Sequence, residues 1–251
     1  MTGSILLYVG LALVLLGGAS LVRPLRFLGI TTRRRGALVL GIGLFAVLGG
    51  AFYPAPLVRV ERHTTRLDDF MPEYQFFETH SIHVSAPVDR TFDAVRKVTA
   101  AEIWLFRTFT WIRSPHLGES RESILNAPPD EPILDVALRS GFVSLAETPP
   151  REMVLGTVLF SLDERARAWR KGDLVEHFAV LPLSKTAKAA MSFVVEEDAS
   201  GGSLVRTETR VFATDDAARR RFSPYWRAIH PGSAILRLTW LRAIKRRAEA
   251  P

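Results

Sequence analysis

The least polar positions come first. Residues Ser4–Val22 carry no charge, and neither do Gly36–Val58. A bilayer core about 30 Å thick needs roughly 20 apolar residues in a helix rising about 1.5 Å per residue. Neither run has the polar face that a core helix of a soluble protein keeps. The pattern predicts two membrane spans, over about residues 4–22 and 36–53, with Pro54 and Pro56 ending the second. Residues 1–58 are therefore expected to form a membrane hairpin. Ala37/Gly41 and Ala46/Gly50 have the four-residue spacing of small side chains that lets helices approach closely. The alternative for an apolar run this near the start is a cleaved signal, with Arg33–Arg35 as its basic stretch and cleavage near Ala51 or Ala55.

Beyond a polar linker at residues 59–73 the pattern changes. Alternation from Tyr74 through Val84 predicts a strand. Pro87 then opens a helix that sets Val88, Phe92, Val95 and Thr99 on one face. Thr99 and Glu102 have capping-box spacing, which predicts a second helix carrying Trp104, Phe106, Phe109 and Trp111. Pro132–Ser140 reads as a short helix stopped by Gly141. Strands are predicted at Phe142–Glu147 and Glu152–Phe160, another within Asp173–Leu181, and a hairpin joining Ala189–Glu196 to Leu204–Phe212. The last 35 residues read as helix, interrupted near Pro231-Gly232. The class is α+β. A sheet with one apolar face must be covered, and the C-terminal helix is the long element left to cover it.

Charge adds an orientation. The net charge is +7, and it is unevenly placed. Arg23, Arg26, Arg33, Arg34 and Arg35 all lie in the loop 23–35 between the two apolar runs, against Arg59, Arg62 and Arg66 after the second. Basic loops stay cytoplasmic. The loop is therefore expected inside the cytoplasmic membrane, with the soluble part outside it. The basic C-terminal stretch fits lipid phosphates or a solvated helix face rather than nucleic acid. The absence of cysteine excludes disulfides, thiolate metal sites and thiol nucleophiles.

Two stretches carry a resemblance. SIHVSAPVDRTFDAVRKVTAAEI resembles the opening strand and helix of the SRPBCC, or START-like, superfamily. KAAMSFVVEEDASGGSLVRTETRVFATDD, followed by YWRAIHPGSAILRLTWLRAIKRRAE, resembles its closing hairpin and helix. The resemblance covers residues 74–249 and leaves out the membrane hairpin. It implies a helix-grip fold, in which an antiparallel sheet wraps a long C-terminal helix around an apolar cavity. It also implies binding of lipids, sterols, polyketides or other hydrophobic molecules. The superfamily has no universal catalytic residue to carry over.

Within such a fold the alternating positions Val205, Thr207 and Thr209 would face the cavity with Met191 and Phe193 of the partner strand. The two threonines would be polar contacts in an apolar pocket, or members of an ordinary half-buried hairpin. The last helix has an apolar arc that includes Trp240, Leu241 and Ile244, and Arg237 falls inside it. That arginine has two readings: a salt bridge to a sheet carboxylate, or an anchor for an anionic head group. The histidines add little, since His80 and His83 point to opposite faces of a strand. No HExxH, GxSxG, phosphate loop or zinc spacing occurs.

The expectation is a membrane-anchored domain that binds a lipid or lipid-like metabolite through Met191, Phe193, Val205, Thr207, Thr209, Arg237 and Trp240. Membrane lipids and a hydrophobic small molecule are its expected partners, with no cofactor, metal or nucleic acid. The alternatives are an enzyme of cyclase or hydratase type in the same fold, and an interaction protein whose grip is closed and empty.

Overall fold

The computed structural model describes residues 2–106, 108, 127–168 and 170–251. They form two compact units: residues 1–56 with 220–228, and residues 57–219 with 229–251.

The first unit is built on helices α1 (Thr2–Val22) and α2 (Arg33–Phe52), joined through a 3-10 turn at Arg26–Leu28. Both are long and apolar enough to cross a membrane. Their outward side chains, such as Leu15 and Phe45, are exposed. The seam between them is made by glycines spaced seven apart. A Cβ on Gly10 would lie 2.6 Å from the Val47 nitrogen, and one on Gly43 would lie 2.6 Å from the Val14 nitrogen. Gly17 and Gly50 meet backbone as closely. Here the structure departs from the expected contact. Gly41 faces open space, so the seam follows Gly36, Gly43 and Gly50 and not Ala37/Gly41.

The last helix, α7 (Asp216–Glu249), runs unbroken through Pro231 and Gly232. The expected interruption is absent for a local reason. Proline has no N–H to donate to the carbonyl four residues back, here that of Arg227. The Tyr8 hydroxyl donates to that carbonyl instead. The Arg227 guanidinium in turn donates to the carbonyls of Ala51 and Tyr53 at the end of α2. Those carbonyls lack intrahelical donors, and a cation suits a helix C-terminus.

In the second unit β3 (Phe76–Val84), β4 (Val143–Thr148), β5 (Glu152–Ser161), β6 (Thr186–Glu197) and β7 (Ser203–Ala213) make one antiparallel sheet in the order β3-β7-β6-β5-β4. The short strands β1 (Val58–Arg59) and β2 (Glu73–Tyr74) pair separately. The inner face of the sheet is covered by α4 (Val88–Lys97), α5 (Ile133–Arg139) and the C-terminal part of α7. Phe92, Val95, Ile133, Leu155, Phe193, Trp240, Leu241 and Ile244 share that core.

The outer face is also covered, so β6 is buried for most of its length on both sides. Its cover includes α3 (Arg66–Phe70) and α6 (Lys171–His177), whose neighbourhoods bury Leu67, Met71 and Phe178 against Val154 and Ala190. Two expectations meet a different structure here. The stretch 59–73, expected as a polar linker, holds α3 and a buried ion pair. Asp68 accepts from Arg210 at 2.7 Å and from the N–H groups of Thr64 and Thr65 at 2.7 and 2.9 Å. The strand expected within Asp173–Leu181 is α6 followed by turn. Leu174 and Phe178 reach the same core four residues apart, which is helical spacing, and Asp173 caps the Arg170 N–H at 2.7 Å.

The Thr99/Glu102 capping box forms, with the Glu102 carboxylate 2.8 Å from the Thr99 nitrogen. It caps only a 3-10 turn at Ala100–Glu102, and Leu105 follows with φ 58°. Of the aromatics expected on a second helix, Phe106 is buried and Trp104 exposed. Phe109 and Trp111 lie outside the described residues.

Candidate functional site

Register sets what stands together on the inner face. Glu78 pairs with Thr209 and His80 with Thr207 across β3 and β7. Thr209 pairs with Met191, and Thr207 with Phe193, across β7 and β6. Side chains directly opposite on one face are in contact range. The result is a two-by-two polar block of Glu78, His80, Thr207 and Thr209, bordered by Met191 and Phe193. Ser233, Arg237, Trp240 and Ile244 of α7 are spaced by three or four residues and so share one helix face.

Contacts join the two surfaces. The Arg237 guanidinium donates to the Thr209 hydroxyl at 2.9 Å and to the Met191 sulfur. Its carbon sits 5.3 Å from the centre of the Trp240 ring, a cation–π arrangement. Trp240 lies 5.3 Å from Phe193, ring centre to ring centre. One Glu78 oxygen is 2.7 Å from His80 Nε2, and the other accepts from the Ser233 hydroxyl at 2.8 Å. Glu78 is buried, whereas His80, Thr209, Ser233 and Arg237 keep partial exposure. The polar block is therefore the accessible end of a core that is otherwise closed.

Two inner-face atoms lack what burial demands. The Thr207 hydroxyl and the Trp240 indole N–H are buried and have no hydrogen-bond partner among the described residues. A buried polar group left unpaired costs about 1–3 kcal/mol, so such groups are rare in native proteins.

The seven residues expected at a site fall in one patch. Met191, Phe193, Val205, Thr207 and Trp240 are buried, and Thr209 and Arg237 are part-exposed. The expectation does not include Glu78, His80 or Ser233. The signal for the first two is in the sequence: residues two apart on a strand share a face. His83 does point to the other face, where its Nδ1 lies 2.5 Å from Asp198. It borders an open, polar groove of about 760 Å³ lined also by Asp89, Glu197, Ser200 and Gly202. That groove is not the apolar cavity that a grip implies.

No family model matches the chain, and no curated protein matches it. Among solved structures, a protein of Mesorhizobium loti is 12% identical and matches over 68% of this chain and 96% of its own, with a TM-score of 0.34. A hypothetical protein of Helicobacter pylori is 6% identical over 76% of this chain and 99% of its own, at 0.39. The di-domain ARO/CYC BexL of the BE-7585A biosynthetic pathway is 13% identical over 87% of this chain and 58% of its own, at 0.32. The α+β architecture itself rests on the strand order and register above.

Proposed function

We propose that the chain is a membrane-anchored helix-grip domain of SRPBCC type that binds a hydrophobic molecule carrying one polar group. The observation that supports it most is the pair of unpartnered buried atoms, Thr207 Oγ1 and Trp240 Nε1, beside the Phe193 ring. A donor and a hydroxyl set into an apolar wall are what orient an amphipathic ligand. Arg237 stands at the accessible end, where it meets an anionic or carbonyl head group. The two apolar helices hold this domain at the bilayer from which such a ligand partitions.

Native mass spectrometry of the detergent-purified full chain tests the binding. A co-purified small molecule of defined mass, lost on Arg237→Met, supports it. A protein that carries no added mass and takes up none from a total lipid extract contradicts it. The expected orientation, with the arginine loop in the cytoplasm, has its own test. A reporter active only in the cytoplasm, fused after Pro251, stays silent.

A further inference from the structure

From the polar block we infer a proton-transfer site: His80 is a catalytic base for an apolar carbonyl compound, and Glu78 is its positioning residue. The inference rests on the inner face being a ligand site, and it adds chemistry to that reading.

The geometry is that of an oriented base. Glu78 bonds His80 Nε2 at 2.7 Å. A carboxylate accepts, so Nε2 carries the proton and Nδ1 keeps the lone pair. The second Glu78 oxygen is occupied by Ser233 at 2.8 Å, which fixes the carboxylate plane from the α7 side. A base held by a third group through its far nitrogen is the arrangement that general-base catalysis uses. Glu78 is buried, so water does not compete for the bond it makes to the imidazole.

The block also holds a place for the charge that proton removal creates. Thr207 is the cross-strand neighbour of His80, and its buried hydroxyl has no partner among the described residues. Arg237, bonded to Thr209 in the next pair, brings a cation to the same block. Donors aimed at a developing oxyanion stabilise it most in a site that excludes water.

The step balances without a co-reactant. The substrate class is a β,γ-unsaturated carbonyl compound. His80 Nδ1 takes a proton from the carbon between the carbonyl and the double bond. The C–H electron pair becomes a new C=C bond and the C=O π pair moves onto the oxygen, giving a dienolate held by Thr207 and Arg237. The imidazolium then returns the proton at the γ-carbon as the oxygen pair re-forms the carbonyl. The product is an isomer of the substrate, and His80 is regenerated.

The natural substrate is not needed for the test. Nitrobenzisoxazole is a flat apolar probe whose ring C–H loses its proton to a base while its N–O bond breaks, giving a coloured phenolate. The full chain in detergent is expected to open it faster than the same concentration of free imidazole. His80→Gln should slow it by about a hundredfold or more. Glu78→Gln should lower kcat for the probe with KM unchanged, because the imidazole loses the group that orients it. That split is read whether or not His80→Gln folds, and thermal melts report folding for each variant. A rate no higher than imidazole, or one that folded His80→Gln retains, overturns the inference. Equilibrium dialysis with unreactive nitroindazole separates the two claims. Binding without acceleration overturns proton transfer alone, and absence of binding overturns the ligand site with it.

Discussion

The Tyr8 hydroxyl donates to the Arg227 carbonyl, the one that Pro231 leaves without its intrahelical donor. This explains why α7 continues through a proline and predicts coupling between distant positions. Tyr8→Phe should lower stability in detergent by about 1–2 kcal/mol, since the carbonyl is left unpaired. In a Pro231→Ala background the helix supplies its own N–H, and the same change should then cost almost nothing. Thermal denaturation of the four proteins of this cycle measures the difference.

The glycine seam gives a contrast within one helix. Gly43→Leu places side-chain atoms into the backbone of α1, and about 1–3 kcal/mol of stability should be lost. Gly41→Leu, whose added Cβ meets nothing within 4 Å, should be close to neutral. Melting temperatures in one detergent compare the two directly.

The buried ion pair on the outer face predicts acid sensitivity. Burial by itself would raise the Asp68 pKa. Bonds from the Thr64 and Thr65 N–H groups and from Arg210 overcome that and hold it at about 2, against 3.8 ordinarily. The carboxylate therefore contributes about 2 kcal/mol above pH 3.8, and this is lost as pH falls through 2. Arg210→Met leaves Asp68 and Glu208 without their cation and should cost about 3–5 kcal/mol near neutral pH. Denaturant titration at several pH values checks both.

Lys188 predicts a second rise of stability with pH, in the alkaline range. It lies between the rings of Phe178 and Phe212 and donates to the carbonyls of Phe178 and Ala179. Burial pushes its pKa down to about 8, against 10.5 ordinarily. Between those values the unfolded chain binds more protons, so this group's contribution to stability rises with pH from 8 to 10.5, by roughly 3 kcal/mol. Lys188→Met should remove that rise and increase stability at pH 7. Unfolding curves at pH 7 and pH 10 for both proteins decide it.

What the sequence shows and hides follows from which contacts are local. The β6–β7 hairpin is legible because alternating residues flank the Asp198–Gly202 turn, and its register alone sets Thr207 opposite Phe193. The uncharged runs are legible as α1 and α2 because length and polarity suffice. The cover of the outer face is not. Asp68 and Arg210 meet across 142 positions of chain, and nothing local in a polar stretch announces that it will be buried. The Leu174/Phe178 pair of α6 hides for another reason, since exposed Val175 and Val180 between and beyond them mimic a strand's apolar content. Glu78 and His80 were open to the two-residue rule. Comparing His80 with His83 directs attention to spacing between histidines, whereas the partner of His80 is a carboxylate.

The claim that the inner face serves a ligand meets its most direct test in Thr207→Val, measured twice on delipidated full-length protein. Valine keeps the shape and removes the unpaired hydroxyl. The empty protein should gain about 1 kcal/mol or more, seen as a higher melting temperature. Its uptake of the co-purifying molecule, read by native mass spectrometry, should weaken about tenfold, the loss of one good hydrogen bond. A variant that is more stable yet binds poorly is the result this account predicts. A variant that takes up the molecule as well as the wild type does would contradict it.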